Sequence, residues 1–598
     1  MTPYDYAVIA FYFLFMLLMG GLASRFIKNS SDYFRGGGQM LWWLVGAGAF
    51  MTQFSAWTFT GAASKAYGEG WPIFVIFFAN AAGFFINAAY FAARARQMRV
   101  VTAIQAVRIR FSKANEQVFT WLQIPLGTLY AGIWLNGLCV FLSAAFGFDL
   151  ETTIMITGAV VVAMTLLGGS WAAIAGDFIQ MLILMPVTVV AAFFALREVG
   201  GISSFIERLP AGHLDIGKAL NSPLMLLWIA AIMIKQFVST NNMLEGSRYL
   251  CVKDGANARR AALLAGCLFL FGPIVWFIPP MAASILHPDL AAVFPSLKNP
   301  SEGAFLAISL DTMPAGMIGL LLCGIMAATM SSMDSGLNKN AGFFVKNFYH
   351  TVLRPQAGER ELVKAGKLTT AILGVLVILA GINFSRLEGL GLFDLMLRFG
   401  TLVAVPYTIP LVLCMIVKRT PSWSGWSTVL VCLAVSLATT HYLDAAWLAR
   451  TLDLARPLTA DEANYWAIAI GLFCNVAAGV AWFLGTMLFW KNVPADERAR
   501  IEAFHARMLT PVDFEREEGA NSDHAQARLL GNLALAYGGF ILLLALIPNP
   551  PTGRLAFVFC GGVVALVGCA LKRAARKTGK PLIPSESVSH ADVVSAES

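Results

Sequence analysis

The sequence predicts an all-α polytopic membrane protein. Its core should be two inverted five-helix repeats, with one leading helix and about four trailing ones. Three observations carry this. First, the 598 residues are 58% hydrophobic and only 13% charged, about half the charge of a typical soluble chain. Second, apolar runs of about 20 residues, the length that crosses a bilayer, recur from end to end. Third, two of these runs have polar centres and lie five spans apart. Polar groups at mid-depth are expensive unless they line a cavity or bind something. Matching interrupted helices mark paired inverted repeats.

In order, spans are expected at 4–27, 41–66, 72–95, 118–147, 151–168, 172–197, 223–248, 261–286, 315–346, 364–384, 395–417, 424–442, 464–489, 529–547 and 553–571. Fifteen spans put the termini on opposite sides. The organisation follows. Residues 1–40 form a leading helix and connector, 41–200 the first repeat and 201–420 the second. Residues 421–490 are additional spans, 491–528 a charged cytoplasmic segment with a helix at Ala495–Met508, 529–571 the last two spans and 572–598 a polar tail. The first span lacks a basic flank and a small-residue cleavage site, so it reads as a retained helix rather than a signal peptide. Thr102–Lys113 is an amphipathic piece expected at the interface.

Lys and Arg set the orientation. Arg94, Arg96, Arg99, Arg108, Arg110 and Lys113 follow the third span. Arg248, Lys253, Arg259 and Arg260 follow the seventh, and Lys346, Arg354, Arg360, Lys364 and Lys367 the ninth. The alternate connectors are short or mixed in sign. The positive-inside rule then places the N-terminus outside and the C-terminus in the cytoplasm. Topology thus accounts for the net charge of +8, and a nucleic-acid partner is not expected. The nine cysteines form no CxxC pair, and the seven histidines no HExxH, so neither a zinc site nor a disulfide framework is indicated. No nucleophile–base pair is visible, so an enzyme is not expected.

The second span carries Met51-Thr52-Gln53-Phe54-Ser55-Ala56-Trp57-Thr58, and the seventh Lys235-Gln236 and Asn241-Asn242. The ninth turns polar on one face. Ala328, Ser331, Ser332 and Ser335 share a stripe at helical spacing, with Asp334 at its edge. Hydroxyls beside the freed carbonyls of a broken helix suit a hard cation such as Na⁺. The same stripe can also serve close helix packing, with hydroxyls bonded back to their own carbonyls.

These residues resemble the sodium:solute symporter family, of LeuT-type fold. The resemblance runs from about Tyr4 to Trp490. It rests on Asp32-Tyr33-Phe34-Arg35-Gly36-Gly37-Gly38, on Ser55-Ala56-Trp57, and on Gly168-Gly169-Ser170-Trp171 leading to Asp177-Phe178-Ile179-Gln180. Arg248-Tyr249-Leu250 and the Ala-x-x-Ser-Ser stretch at 328–332 complete it. The resemblance implies a sodium site made by the carbonyls of Met51, Phe54 and Ala328 with the hydroxyls of Ser331 and Ser332. It implies a possible second cation site at Asp177, Ser331, Asp334 and Ser335. There the chain departs from the family, because Asp334 stands where a hydroxyl is usual.

Between the repeats, a cavity lined by Gln53, Trp57, Thr58, Lys235, Gln236, Asn241 and Asn242, with Tyr130, Trp134 and Asn136, is expected to take the solute. Amides and indoles suit a sugar or polyol first, then an organic acid or amino acid. Lys235 sits about 18 Å into its span at 1.5 Å per residue. A partner is expected for it: Asp177 or Asp334, or an anionic group of the solute. The expected protein is a monomeric sodium-coupled symporter of a small polar organic solute in a bacterial cytoplasmic membrane, with Na⁺ as coupling ion and no organic cofactor. A proton-coupled carrier and a non-transporting solute sensor are the alternatives.

Overall fold

The computed structural model describes residues 1–23, 38–217, 221–295, 297–387, 391–453, 456–517 and 523–577. Most of the Asp32–Gly38 stretch and the tail beyond 577 lie outside them. Every named element is helical. The sole β feature among the described residues is an isolated bridge between Met40 and Val252.

The principal helices are α1 (Pro3–Ala23), α2 (Trp42–Met51), α3 (Gly61–Glu69), α4 (Pro72–Gln97), α5 (Ala103–Arg110), α6 (Lys113–Phe146) and α7 (Leu150–Val199). The second half comprises α8 (Pro223–Thr240), α9 (Gly255–Leu286), α10 (Met317–Leu353), α11 (Glu359–Arg386) and α12 (Leu392–Leu413). Then come α13 (Ser424–Tyr442), α14 (Ala460–Asn492), α15 (Ala495–Leu509), α16 (Asp523–Leu543) and α17 (Pro551–Lys577). Eleven helices among the described residues are long and apolar enough to cross a bilayer. A pair bent by 64° at 424–451, and three shorter apolar helices at Pro3–Met16, Trp42–Met51 and Leu150–Leu166, overlap the remaining expected spans.

Two expectations are revised. The spans at 151–168 and 172–197 are joined in one helical element, α7. The separation expected between them falls within 167–174, whose side chains are not described. Fifty residues of straight helix would run about 75 Å, against an apolar thickness of about 30 Å, so the apolar halves Leu150–Leu166 and Ala175–Val199 are separate crossing candidates. The seventh span is shorter than expected. Asn241 and Asn242 stop α8 at Thr240, and the chain continues as a 3₁₀ turn at Glu245–Cys251.

The two halves interlock rather than stand side by side. α2 and α4 pack on α9, and α4 also on α8, while α6 and α7 pack on α10 and α11. α10 is the innermost of them, with 94% of its most apolar stretch buried, against 33% for α11. Its glycines explain the depth. A Cβ at Gly319 would lie 2.5 Å from the backbone oxygen of Asp5, and one at Gly324 would lie 2.8 Å from Leu184. α1 and α7 therefore touch α10 where it has no side chains.

α1 also caps α10. Asp5 is fully buried, and its Oδ1 accepts from the backbone N–H of Gly316 and Gly319, both at 2.9 Å. These are donors that a helix start leaves unpaired. Asp5→Ala is expected to lower stability by about 2 kcal/mol, the scale for orphaning buried donors. A lower melting temperature with unchanged sodium affinity is the readout. α16 and α17 pair with each other, and Phe540 stacks on Phe11 of α1 at 3.5 Å between centroids. On the basic-connector side, Arg99 binds the Glu517 carboxylate at 2.7 and 2.9 Å and so pins the segment after α15.

Candidate functional site

Helix α2 stops at Met51, and the chain turns through Thr52–Ser55 before a single 3₁₀ turn at Ala56–Thr58 and then α3. Gly48 O, which accepts the Thr52 N–H at the end of the helix, also accepts from the Thr52 hydroxyl at 2.8 Å and from Arg248 at 2.7 Å. The far side of the break is tied to α10, since the Ala56 N–H donates to the Thr329 hydroxyl at 2.8 Å.

Ser332 is buried, and its Oγ sits among four carbonyls: Phe54 at 2.9 Å, Met51 and Ala328 at 3.3 Å, and Thr52 at 3.4 Å. A hydroxyl carries one hydrogen, so four converging oxygens exceed what Ser332 can satisfy. That surplus of lone pairs is what a hard monovalent cation takes up. Ser331, one residue earlier, is also buried, and its Oγ has no hydrogen-bond partner. Beside it lies Asp177 of α7, 1% exposed, with neither carboxylate oxygen hydrogen-bonded. Ser331 and Arg248 act favourably on its charge.

The structure therefore brings Met51, Phe54, Ala328 and Ser332 together, with Ser331 and Asp177 adjoining. Thr52 was not anticipated. Nothing in a Thr-Gln pair shows which carbonyl turns inward. Thr329 was not singled out either, although its three-residue spacing from Ser332 places both on one face. The Asp334 carboxylate accepts a hydrogen bond from the Thr165 hydroxyl of α7, and Asp334 still acts electrostatically on Asp177. Ser335 lines the cavity next to Ser332 and Asp177.

That cavity has a volume of about 340 Å³. It runs from Trp57 to Val101–Ala103 on the side of the basic connectors. Gln53, Trp57, Lys235, Gln236 and Asn242 line it, with Tyr130 and Trp134 of α6. Thr58 and Asn241 do not, and Asn136 is turned to the Gly381 carbonyl at 3.3 Å. Asn241 donates instead to Gly83 O and Phe237 O. Asn242 Oδ1 accepts from the N–H groups of Leu244 and Glu245, which holds the second break open. Asn80, Ser239, Glu245, Arg248 and Lys339 also line the cavity.

The pairing of Lys235 with Asp177 or Asp334 is not found. Its ammonium reaches Gln236 Oε1 at 3.5 Å, and no carboxylate among the described residues pairs with it. The reason is geometric: Asp334 turns to α7, and Arg248 lies near Asp177.

Away from the connectors the cavity is closed. The Trp57 indole N–H donates to Leu392 O at 3.1 Å, and its ring stacks on Phe393 at 5.8 Å and 14°. A Cβ at Gly61 would meet Trp57 Nε1 at 2.8 Å and the Phe393 backbone nitrogen at 2.9 Å. Lys65 lies over the rings of Phe393 and Tyr465 at 5.4 and 5.2 Å. Gly61→Ala is expected to wedge α3 from α12 and weaken this closure. An accessible-cysteine probe beyond Trp57 should then label faster than in the parent, and an unchanged rate counts against the closure.

The family model described as "Sodium:solute symporter family" matches residues 33–426. Solute carrier family 5 member 4 of Rattus norvegicus is 26% identical over 63% of this chain and 62% of its own length. Sodium/glucose cotransporter 2 of Rattus norvegicus is 27% identical over 70% and 68%. The sodium/sialic acid symporter SiaT of Proteus mirabilis (strain HI4320) is 24% identical over 74% and 90%. The chain thus spans about two thirds of the mammalian carriers it matches. A solved Na⁺-coupled sialic acid symporter, in a substrate-bound outward-open state, superimposes with a TM-score of 0.65 at 20% identity, over 82% of this chain and 98% of that one. The fold is shared with that transporter. With the match over residues 33–426, this multi-pass membrane protein belongs to the sodium:solute symporter family.

Proposed function

We propose that the protein is a sodium-coupled secondary active symporter that imports a small polar organic solute across a bacterial cytoplasmic membrane, with its N-terminus outside, as a monomer. The observation that carries this is the Ser332 hydroxyl among four carbonyls of the broken helix and α10. The relatives of the chain support the class, since they include sodium/glucose, sodium/myo-inositol and sodium/sialic acid carriers. None of these solutes is assigned to this chain.

In this reading Na⁺ is cargo, held by the carbonyls of Met51, Thr52, Phe54 and Ala328 with the hydroxyls of Ser331 and Ser332. Binding there ties the break in α2 to α10. The repeats at 41–200 and 201–420 then rock about the filled cavity. One charge moved through 100 mV is worth about 2.3 kcal/mol, and a tenfold sodium gradient adds about 1.4. Together they sustain roughly 500-fold accumulation of a neutral solute. Uptake of a transported solute into proteoliposomes, with inward gradients of NaCl or choline chloride, tests the proposal.

Asp177 supports a second reading, proton coupling, because an unpartnered buried carboxylate can take a proton as readily as a cation. Uptake driven by a pH gradient in sodium-free buffer would favour it over sodium.

A further inference from the structure

We infer that the transported solute is an organic anion, a polar molecule carrying one carboxylate, and that Lys235 is the group that selects it. The inference deepens the symport reading and rests on it.

Five charged side chains line the cavity: Asp177, Lys235, Glu245, Arg248 and Lys339. Glu245, Arg248 and Lys339 interact with one another, and the Asp177 carboxylate offsets one of their charges without a hydrogen-bond partner of its own. Glu245 pairs with Lys339 at 2.8 Å and lies 3.8 Å from Arg248. Arg248 also donates to Gly48 O and acts on Asp177. Lys235 remains as the one surplus cation, so the lining carries a net charge of +1 at that point. A lysine left unpaired at this depth in a membrane protein costs about 3 kcal/mol, and such a group is by default part of a binding or ion pathway.

The surroundings of Lys235 are shaped for a ligand rather than for a buried partner. It is on α8, one turn before the second break, and half-buried at the cavity wall. A Cβ at Gly400 would lie 2.8 Å from Lys235 Cε, 3.2 Å from Nζ and 3.3 Å from the Tyr130 hydroxyl. The Lys235 side chain and the Tyr130 hydroxyl therefore sit side by side against the Gly400 backbone, where any larger residue would displace them, and both line the cavity. Together they offer a carboxylate one charged and one neutral donor. Gln53, Gln236 and Asn80 line the rest of the cavity with amides for hydroxyl groups.

Charge arithmetic follows. A monoanion carried with one Na⁺ moves no net charge, so the membrane potential contributes nothing. A second cation, held by Asp177 and Ser331, would restore a net movement of +1 per cycle. The unpartnered oxygens at Asp177 thus acquire a use that a neutral solute does not require.

The test uses the full chain in detergent and its own tryptophan fluorescence, since Trp57 and Trp134 line the cavity. The probes are matched pairs differing in the carboxylate: gluconate and glucose, galacturonate and galactose, lactate and propane-1,2-diol. Each is titrated in NaCl and in choline chloride. At least one carboxylate should give a saturable, sodium-dependent response, with its neutral partner about 10- to 100-fold weaker, the span of a charged hydrogen bond. Lys235→Met should erase that preference and Lys235→Arg should keep most of it. Equal affinity within each pair, a preference that survives Lys235→Met, or no response to any carboxylate overturns the inference. Thermal stabilisation by NaCl over choline chloride, without an organic probe, separates the two readings. If it is absent in the parent protein, the sodium site fails. If it is present while the carboxylate preference is missing, only the anion assignment fails. Should Lys235→Met not fold, the parent's preference and Lys235→Gln decide.

Discussion

Replacing Ser331 and Ser332 together with alanine is expected to raise the sodium concentration that half-saturates uptake by at least about tenfold. Two oxygen ligands, each worth roughly a net hydrogen bond of about 1 kcal/mol, account for that factor. The four carbonyls around Ser332 stay in place, since they belong to the backbone of the break and of α10. Maximal velocity at saturating sodium should therefore fall less than affinity does. Alanine also removes the Ser332 contacts that bridge α10 and the α2 break. Ser332→Thr, which restores a hydroxyl, separates ligation from packing. Recovery of sodium affinity in Ser332→Thr supports ligation, and a double mutant with parental sodium dependence removes it.

Asp177→Asn is the second large expected effect. The carboxylate is almost fully buried, without a hydrogen-bond partner, next to the Ser331 hydroxyl. Neutralising it removes the one full charge available to a second cation from α7. The sodium dependence of uptake should change from a Hill coefficient above one to about one, the value for a single coupled ion. The ratio of ²²Na⁺ to solute flux should fall in step. If both quantities are unchanged, Asp177 has no part in coupling. If the Hill coefficient is unchanged but uptake no longer responds to a pH gradient, the carboxylate carries a proton instead.

Much of this site was legible because its signals are local. Polar runs inside apolar spans can be seen in one dimension, and helical spacing alone puts Ser331, Ser332 and Ser335 near one face. Close packing was legible at Ala328 and its stripe, whereas the approaches at Gly319 and Gly324 emerged only from the structure. What could not be read was the direction each group turns across a helix–helix contact. Asp334 looked equivalent to Asp177, yet it is held by Thr165, a residue 169 positions away. Asn241 looked like a cavity amide, yet it secures α4 to α8 through Gly83 O. Lys235 invited a carboxylate partner by its depth, and the tertiary arrangement supplied other cations to both acids in the cavity. The role of Asp5 was illegible for the same reason. An acid near the chain start carries no sign that it will cap a helix more than 300 residues away.

The closure at Trp57 belongs to a different category. Trp57 was expected at the cavity, and it is there, but its indole N–H is committed to Leu392 O on α12. A side chain that both lines the cavity and bolts one end of it cannot be assigned to solute or gate from sequence. The broken helix explains why it does both. The 3₁₀ turn at Ala56–Thr58 places Trp57 between α2, whose end adjoins Ser332, and α3, which forms the closure.

In the proposed mechanism, hydroxyls of α10 and carbonyls of the α2 break hold an alkali ion. Equilibrium ²²Na⁺ binding to the purified full chain tests it most directly, without any knowledge of the solute. Saturable binding is expected in the parent protein, displaced by unlabelled Na⁺ far better than by K⁺, weakened at least about tenfold in Ser331→Ala/Ser332→Ala and kept in Lys235→Met. Undiminished ²²Na⁺ binding in the folded serine double mutant would contradict it.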